Sequence, residues 1–274
     1  MDKTTRSRDP FAGRENLVDR TDETWRPPLH APPGGKLERI ASATRRFFDV
    51  QAGSIWRDLA PELRQLRGTL VDVGCGAQPY RPLLGPDVEY IGIDIAEVEE
   101  RFGYAIPGTR YFSGETWPVA DAGADTVLAT ETLEHVVDPS RFMREAHRCL
   151  RPGGKLILTV PFSARWHFVP HDYWRFTPSS LALLLVENGF AKPRVYARGN
   201  ALTVAAYKTM ALVLTRLFPQ NGTRAKRITS VAVGIPGVPF VVLGAAIANL
   251  SLRSAGGDDC LGYTVVAESS LERR

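Results

Sequence analysis

Two short apolar runs, each followed by a carboxylate or small residues, are the part of the sequence best suited to chemistry. The run Leu70–Val73 includes Asp72 and leads into Gly74–Gly76, and about 20 residues later the run Tyr90–Ile93 ends at Asp94. A β-branched run that ends in small residues is typical of a buried strand entering a tight turn, and a carboxylate after the next strand can accept hydrogen bonds from a ribose diol. The pattern predicts a site for a nucleoside-containing cofactor.

The residues of the glycine loop separate two classes of such cofactors. A dinucleotide-binding loop has Gly-x-Gly-x-x-Gly before a helix whose N-terminus holds a pyrophosphate, whereas here Pro79 stands in place of the third glycine. Asp72 disfavours a pyrophosphate and favours positive charge, and S-adenosylmethionine carries both a sulfonium and an ammonium group. The charges therefore favour S-adenosylmethionine, with a nicotinamide cofactor and an ordinary strand-to-helix turn as the alternatives.

The following hundred residues supply the elements that must position this loop. Asp125–Thr130 is predicted to be a fourth strand, and a helix is predicted to begin with Asp138 as N-cap and Pro139 as its first residue. Arg151–Gly154 is predicted to stop that helix before a further strand at Lys155–Pro161. A strand, a helix and a strand in this order form a right-handed crossover, which predicts a parallel sheet.

Together these segments resemble the class I S-adenosylmethionine-dependent methyltransferases, and within them the type 11 group. The motifs that carry the resemblance are Asp-x-Gly-Cys-Gly at Asp72–Gly76, Leu-Glu-His-Val at Leu133–Val136 and Leu-x-Pro-Gly-Gly at Leu150–Gly154. The resemblance covers roughly residues 68 to 200. It implies an α/β fold with a Rossmann-like seven-stranded, mostly parallel sheet, an antiparallel last strand, helices on both faces, and an enzyme that uses S-adenosylmethionine.

The same resemblance implies the cofactor-binding residues. Asp94 would hold the ribose hydroxyls and Ile95 would lie against the adenine. Ser113 stands where the family usually offers an aspartate to the adenine amino group, so Ser113, Gly114 or Glu115 would take that role, while Gln78 replaces a common glycine. The remaining residues implied are Asp72, Gly74, Cys75 and Gly76 at the methionine half and Thr130 and Glu131 on the sulfonium side.

Methyl transfer to a hydroxyl also needs a group that removes a proton. His135 follows the fourth strand, and His171 follows the fifth in a loop rich in aromatic residues, beside Asp172, which would raise the basicity of an imidazole. His171, His135 and Asp172 are the predicted catalytic residues, although His135 could instead cap a turn. The same three side chains are potential ligands of a divalent ion, but the sequence predicts no metal site.

The aromatic loop Trp166–Phe176 bears on the acceptor. Its rings could face a sugar or could seal the edge of the sheet. His-Asp-Tyr-x-Arg-Phe-Thr-Pro resembles loops of type 11 members in sugar, cell-wall and glycolipid pathways, which implies O-methylation of a saccharide, a glycolipid or a lipid-linked small molecule. Thr130–Leu133 lacks the Pro-Pro-aromatic turn of nucleobase methyltransferases. A non-catalytic relative that acts as an interaction module is the alternative, because Ser113 and Gln78 depart from the pattern.

Composition limits the domain organisation and the partners. The chain has 274 residues, of which 44% are hydrophobic, enough for one large core. The prediction is a flexible segment at 1–34 and a methyltransferase domain at 35–274, divided into a cofactor-binding core at 67–200, an apolar helical insertion at 201–260 and a last strand at 261–269. A net charge of +4 does not argue for nucleic acid. Three isolated cysteines and the lack of a signal-peptide pattern predict a cytoplasmic protein.

The insertion between the sixth and seventh strands is unusually apolar. It contains Ala201–Phe218, a basic turn at Arg224–Arg227 and about 25 uncharged residues from Ile228 to Leu252. A single membrane crossing is excluded because the sixth and seventh strands must pair on one side of the bilayer. We expect a helical hairpin that either lies among anionic headgroups on the inner face of the cytoplasmic membrane or folds over the active site as a lid. Packing against the sheet or against a second copy is the alternative.

Overall fold

The computed structural model describes residues 15, 17–20, 30–113, 116–219, 222–254 and 256–270, so most of the segment predicted as flexible, 1–34, lies outside the described residues. The strands are β1 (Gly68–Val73), β2 (Val88–Ile95), β3 (Arg110–Phe112), β4 (Ala124–Thr130), β5 (Leu150–Pro161), β6 (Phe190–Ala197) and β7 (Gly262–Ser269). The helices are α1 (Lys36–Phe48), α2 (Val50–Leu63), α3 (Val98–Phe102), α4 (Pro139–Cys149), α5 (Pro178–Glu187), α6 (Ala201–Leu217), α7 (Arg224–Gly234) and α8 (Val238–Ser251). Short 3-10 turns lie at Leu17–Asp19, Arg81–Leu83, Leu133–His135 and Ile235–Gly237.

The strand order in the sheet is β3-β2-β1-β4-β5-β7-β6. The first five strands of this order pair in parallel, and β7 runs antiparallel to both of its neighbours, β5 and β6. The α/β fold with a Rossmann-like seven-stranded sheet and an antiparallel last strand is therefore confirmed. The order reverses between β1 and β4, and in open α/β sheets ligands bind beyond the carboxyl ends of the strands at this switch point.

The central strands are buried on both faces, as parallel strands covered by helices must be. Successive residues of a strand point to opposite faces, so Val71 and Val73 pack with α4 and α5, whereas Leu70 packs with α2. The two helical layers of the core hold the carboxyl ends of β1, β2 and β4 in fixed positions, and the loops that follow these ends build the site.

The predicted start of α4 is confirmed, and α5 begins in the same way. Asp138 caps α4 by accepting a hydrogen bond from the backbone N–H of Arg141 at 3.0 Å, and Thr177 caps α5 through the N–H of Ser180 at 3.2 Å. Residues 151–154, predicted to stop α4 before the next strand, form a bulge within β5, which begins directly after α4. Leu150 pairs with Ala124 and Lys155 with Thr126, so four residues of β5 lie opposite a single residue of β4.

The insertion between β6 and β7 forms three helices. α6 packs against α7 and α8, and the glycines of the apolar stretch lie where the helices approach closely: a Cβ on Gly244 would come within 2.8 Å of Met210 Cγ. Asn249 on α8 donates a hydrogen bond from Nδ2 to the carbonyl of Phe47 in α1 at 2.9 Å. The insertion is thus joined to the N-terminal helices. The stretch Arg224–Ser251 is long and apolar enough to cross a membrane by length and composition, and only 22% of its most apolar window is buried.

Candidate functional site

The glycine loop after β1 is held close to the carboxyl end of β4. The backbone N–H groups of Gly74 and Cys75 both donate to the carbonyl of Ile93, at 2.9 and 3.3 Å. Gly74 has φ +66°, and a Cβ there would lie 2.4 Å from Thr132 Cγ2. Only glycine satisfies both the left-handed backbone and the close approach, which explains why the loop needs this residue.

Gln78 follows the loop where the family usually has a glycine. Its backbone adopts φ +58°, which glycine adopts at no cost, and its side chain is buried. Its amide nitrogen donates to Thr109 Oγ1 at 3.1 Å and its carbonyl oxygen accepts from Arg81 Nη1 at 2.9 Å. The first bond ties the loop to the segment before β3 and the second to the 3-10 turn that follows the loop, so both restrict the path of the loop.

Asp72 is a buried carboxylate with one oxygen unused. Tyr90 donates its hydroxyl to Asp72 Oδ2 at 2.8 Å, while Oδ1 has no hydrogen-bond partner among the described residues. Burial raises the pKa of Asp72 to about 7, although the hydrogen bond from Tyr90 opposes this shift. A buried carboxyl in this position is stabilised in its charged form by a nearby cation, which fits the positive charges expected on the cofactor.

Asp94 at the end of β2 faces the cavity that the glycine loop borders. Its Oδ2 accepts from the N–H of Gly76 at 3.2 Å and from the hydroxyl of Tyr104 at 3.3 Å, and its Oδ1 accepts from the N–H of Ile95 at 2.9 Å. Burial raises the pKa of Asp94, and the backbone N–H donors oppose the shift. Tyr104 is a site residue that sequence reasoning missed, because no motif marks it.

The third segment of the predicted cofactor site is less defined. Ser113 is exposed and does not border the cavity, while Gly114 and Glu115 lie outside the described residues. The neighbouring Phe112 and Trp117 do line the cavity. Flat apolar walls at this position could bind an adenine ring without the aspartate that the family usually provides.

Thr130 and Glu131 line the cavity at the carboxyl end of β4. Glu131 accepts a hydrogen bond from Arg198 Nη2 at 2.7 Å, and the Arg198 side chain is fully buried. Arg198 also donates to the Ser54 hydroxyl at 3.2 Å and to the carbonyl of Val160 at 3.1 Å. This arginine, which the sequence analysis did not single out, therefore fixes the orientation of Glu131 from the far end of β6.

The histidines are arranged differently from the prediction. His135 and His167 line the cavity with ring centroids 5.0 Å apart, whereas within the described residues His171 is not part of the lining. Asp172 pairs with His167, whose Nδ1 lies 3.1 Å from Asp172 Oδ2, and not with the adjacent His171. His171 instead contacts the hydroxyl of Tyr173 through Nδ1 at 3.2 Å.

The surroundings of Asp172, His135 and His171 also shift their pKa values. Burial raises the pKa of the Asp172 carboxyl, but hydrogen bonds from Arg175, at 2.6 and 2.7 Å, and from His167 hold it well below its usual range. Burial and the charge of His167 lower the pKa of His135 to about 4. Burial and the charge of Arg101 also lower the pKa of His171. Asp172 is thus a fixed anion that orients His167.

One cavity of about 1360 Å³ is bordered by the glycine loop, Asp94, Glu131, His135 and His167. It exceeds the ~300–1,000 Å³ typical of a pocket for a single small ligand, so there is room for a cofactor and an acceptor together. Beyond the glycine loop and the histidines its wall is formed by one side of α6. The α6 residues in the lining are Tyr207, Met210, Ala211, Leu214 and Thr215, followed by Phe218 just beyond the helix.

Comparisons with known proteins identify the family of the chain. A family model described as a methyltransferase domain matches residues 44–193, more than half of the chain. A ubiquinone biosynthesis O-methyltransferase of Ruegeria pomeroyi is 33% identical over 200 residues, covering 61% of this chain and 77% of that protein. The 27-O-demethylrifamycin SV methyltransferase of Amycolatopsis mediterranei is 32% identical over 160 residues, covering 53% of this chain and 56% of that protein.

Solved structures resemble the chain more loosely. Phosphoethanolamine N-methyltransferase 2 of Haemonchus contortus, in complex with S-adenosyl-L-methionine, covers 88% of this chain and 54% of its own, with 13% identity and a TM-score of 0.46. The [4+2]-cyclase SpnF covers 81% and 83%, with 20% identity and a TM-score of 0.49.

Proposed function

This chain belongs to the class I S-adenosylmethionine-dependent methyltransferases, and we propose from that premise that it methylates a hydroxyl of a saccharide, a glycolipid or another lipid-linked small molecule. The observation that carries the proposal is the single cavity that runs from Asp94 past the histidines to the apolar side of α6. A polar reacting end and an apolar far wall suit an acceptor that carries a hydroxyl on an apolar body. We also propose that 35–274 acts as one domain, with 201–260 as its acceptor-side insertion.

The residues of the loops fit S-adenosylmethionine, which when bound supplies a methyl group activated by a sulfonium. Asp94 is placed to accept hydrogen bonds from the ribose hydroxyls, and Ile95 with Phe112 to contact the adenine. Asp72, with Oδ1 unpartnered, adds negative charge behind the loop Gly74–Gly76. We propose that this loop, including Cys75, holds the methionine half and that Thr130 and Glu131 lie on the sulfonium side.

The chain must also align the hydroxyl, exclude water and accept or displace its proton. We propose that the cavity histidines, His135 and His167, handle this proton, because both border the cavity and His171 is not part of its lining. Asp172 holds His167 through Nδ1, which leaves Nε2 of that ring for the cavity. This assignment replaces the pairing of His171 with Asp172 that the sequence predicts.

We further propose that the insertion places the enzyme on anionic lipid at the inner face of the cytoplasmic membrane. Large apolar side chains of α7 and α8 are exposed, among them Ile228 at 62%, Phe240 at 63% and Leu243 at 57%. Arg224, Lys226 and Arg227, at the start of α7, are exposed as well. Apolar side chains beside basic ones are typical of helices that lie in the headgroup region.

Paired acceptors test the proposed reaction. The full chain is incubated with S-adenosylmethionine and glycolipid acceptors that share a headgroup but carry or lack the lipid tail, and products are analysed by mass spectrometry. We expect a mass gain of one methylene on the tailed acceptor, lost in His167→Asn. Saturable binding of S-adenosylhomocysteine together with no methylation of any hydroxyl acceptor would contradict the proposed acceptor class.

Vesicle binding tests the membrane surface separately. We expect Phe240→Ser/Leu243→Ser to weaken sedimentation with anionic vesicles and to leave S-adenosylhomocysteine affinity unchanged. The matched control is Leu183→Ser/Val186→Ser, which removes two apolar side chains of similar exposure, 58% each, from α5. Equal sedimentation of both variants would show that the insertion is not the membrane surface.

A further inference from the structure

Glu134 is a buried carboxyl in the 3-10 turn after β4 that the proposed function leaves unexplained. Its side chain is fully buried, and neither carboxylate oxygen has a hydrogen-bond partner among the described residues. A buried carboxyl without donors loses its hydration and gains nothing in return. The charge of nearby Arg175 opposes the rise in the pKa of Glu134, but Arg175 directs hydrogen bonds to Asp172, at 2.6 and 2.7 Å, and none to Glu134. The position is explained if a cation binds there.

Two imidazoles converge on this carboxylate. His135 Nε2 lies 3.7 Å from Glu134 Oε1, and one ligand atom from each of Glu134, His135 and His167 lies within 4.8 Å of the other two. Four-coordinate zinc at ~2.0–2.1 Å from each ligand would hold ligand atoms roughly 3.3 Å apart. The three atoms would have to close by up to about 1.5 Å to reach that spacing.

Each imidazole is also held by its other nitrogen, as metal-binding histidines are. His135 Nδ1 lies 2.7 Å from the carbonyl of His171, and His167 Nδ1 lies 2.9 Å from the carbonyl of Arg165 and 3.1 Å from Asp172 Oδ2. A carbonyl accepts only from an N–H, so in both rings Nδ1 carries the hydrogen. Nε2 of a neutral ring is then left with its lone pair, which is the atom a metal binds.

We propose that Glu134, His135 and His167 form a binding site for a divalent cation of the zinc class, open to the cavity. Two imidazoles and one carboxylate favour zinc and similar first-row ions over magnesium or calcium, which prefer oxygen ligands throughout. Asp172 orients His167 from behind, and the ring of Phe168, with centroids 5.5 Å from His135 and 5.4 Å from His167, shields the cluster from solvent. The set differs from the three potential ligands in the sequence analysis, since His167 and Glu134 take the places of His171 and Asp172.

The site deepens the proposed function. The role of the cation in methylation rests on that function, whereas the binding of the cation does not. His135 and His167 border the cavity, so a fourth coordination position faces the space proposed for the acceptor. A cation held by these residues would make an acceptor hydroxyl bound to it lose its proton to water more readily. The oxygen would then form a bond to the methyl carbon as the carbon–sulfur bond breaks, with the electron pair of that bond going to sulfur. The histidines would thus act on the proton through the cation.

Cobalt provides a direct test, because its visible absorption reports coordination without any turnover. The full chain, stripped of metal by a chelator and dialysed, is titrated with Co²⁺ and, by calorimetry, with Zn²⁺. We expect one ion per chain, and a loss of affinity of more than about 100-fold in Glu134→Gln and in His167→Asn, because each removes a ligand rather than a supporting group. His171→Asn is the matched control, since it removes a neighbouring imidazole outside the cluster.

The outcomes are distinct. No saturable Co²⁺ or Zn²⁺ binding by the wild-type chain, or equal binding by Glu134→Gln, His167→Asn and wild type, would overturn the site. Thermal melting identifies a variant that has lost its fold, and His167→Asn provides an independent result if Glu134→Gln unfolds. Binding of S-adenosylhomocysteine to the metal-free chain is measured in parallel. Its absence would count against the proposed function and leave the metal result standing.

Discussion

Replacing Asp94 by asparagine is the sharpest test of the cofactor site, because it keeps the shape of the side chain and removes its charge. The oxygens of Asp94 already accept from three donors, the N–H groups of Gly76 and Ile95 and the hydroxyl of Tyr104. These contacts hold the carboxylate in place before any ligand arrives. The ribose diol would add hydrogen bonds to a charged acceptor, each worth about 1.5–3 kcal/mol.

Asparagine can accept one such bond at the lower strength of a neutral pair, about 0.5–1.5 kcal/mol, and its amide group cannot accept the other. The net loss over the two bonds is therefore about 2.5–4.5 kcal/mol. At about 1.4 kcal/mol for each factor of ten, the affinity for S-adenosylhomocysteine should fall by about 60- to 1,600-fold. Because the pKa of Asp94 is raised by burial, the wild-type affinity should also decline toward that of the variant as the pH falls through this pKa.

Isothermal titration with S-adenosylhomocysteine measures the change. Asp87→Asn is the control, since Asp87 pairs with Arg67 at the surface and an exposed pair contributes about 0–1 kcal/mol. Asp94→Asn with an affinity within about threefold of the wild type would refute the placement of the ribose at Asp94.

Three further predictions concern the loop, the buried ion pair and the pH dependence. Gly74→Ala should abolish measurable donor binding in calorimetry and lower the free energy of unfolding in urea by about 1–3 kcal/mol, because Gly74 has φ +66° and an added Cβ would clash with Thr132. The control Gly85→Ala should change neither quantity, because an added Cβ there has nothing within 4 Å. Arg198→Met should lower the free energy of unfolding by about 3–5 kcal/mol, because it leaves Glu131 without its partner. The control Lys192→Met breaks an exposed pair and should cost less than about 1 kcal/mol. Equal losses of the two variants in urea unfolding would contradict the role of the buried pair. Burial raises the pKa of Asp72 to about 7, so the affinity for S-adenosylmethionine should rise by about tenfold between pH 6 and 8 in the wild type and stay flat in Asp72→Asn. The contribution of Asp72 to the free energy of unfolding should fall as the pH rises from its ordinary pKa through 7.

The fold and the cofactor loops could be predicted because local signals carry them. Gly74 and Asp94 lie next to strands whose apolar runs are unmistakable, and Asp138-Pro139 and Thr177-Pro178 mark helix starts by chemistry that depends on neighbours in the chain. Parallel strands then bring their carboxyl ends together whatever the details of packing. Sequence reasoning succeeds where a residue's role depends on the few residues around it.

The partners of the candidate catalytic side chains could not be predicted in the same way. Asp172 is adjacent to His171 in the chain, yet the turn of the aromatic loop directs it to His167, five residues earlier. Glu134 reads as part of a motif, and nothing in the sequence shows that its carboxylate is buried beside two imidazoles. Arg198 reaches Glu131 from 67 residues away across the end of the sheet. Such contacts depend on tertiary packing.

The pairing of β6 with β7 places the two ends of the insertion side by side, so the insertion can change without changing the sheet. Ala197 lies opposite Tyr263 in the antiparallel ladder, so the chain leaves and re-enters the sheet at neighbouring points. A helical segment attached at two adjacent positions can be exchanged for another, longer or shorter, with little change to the strands beneath it. Because α6 also borders the cavity, such an exchange would replace the wall proposed for the acceptor and leave the strands and loops proposed for the donor as they are. New acceptor preferences could therefore be grafted onto this scaffold between residues 200 and 261.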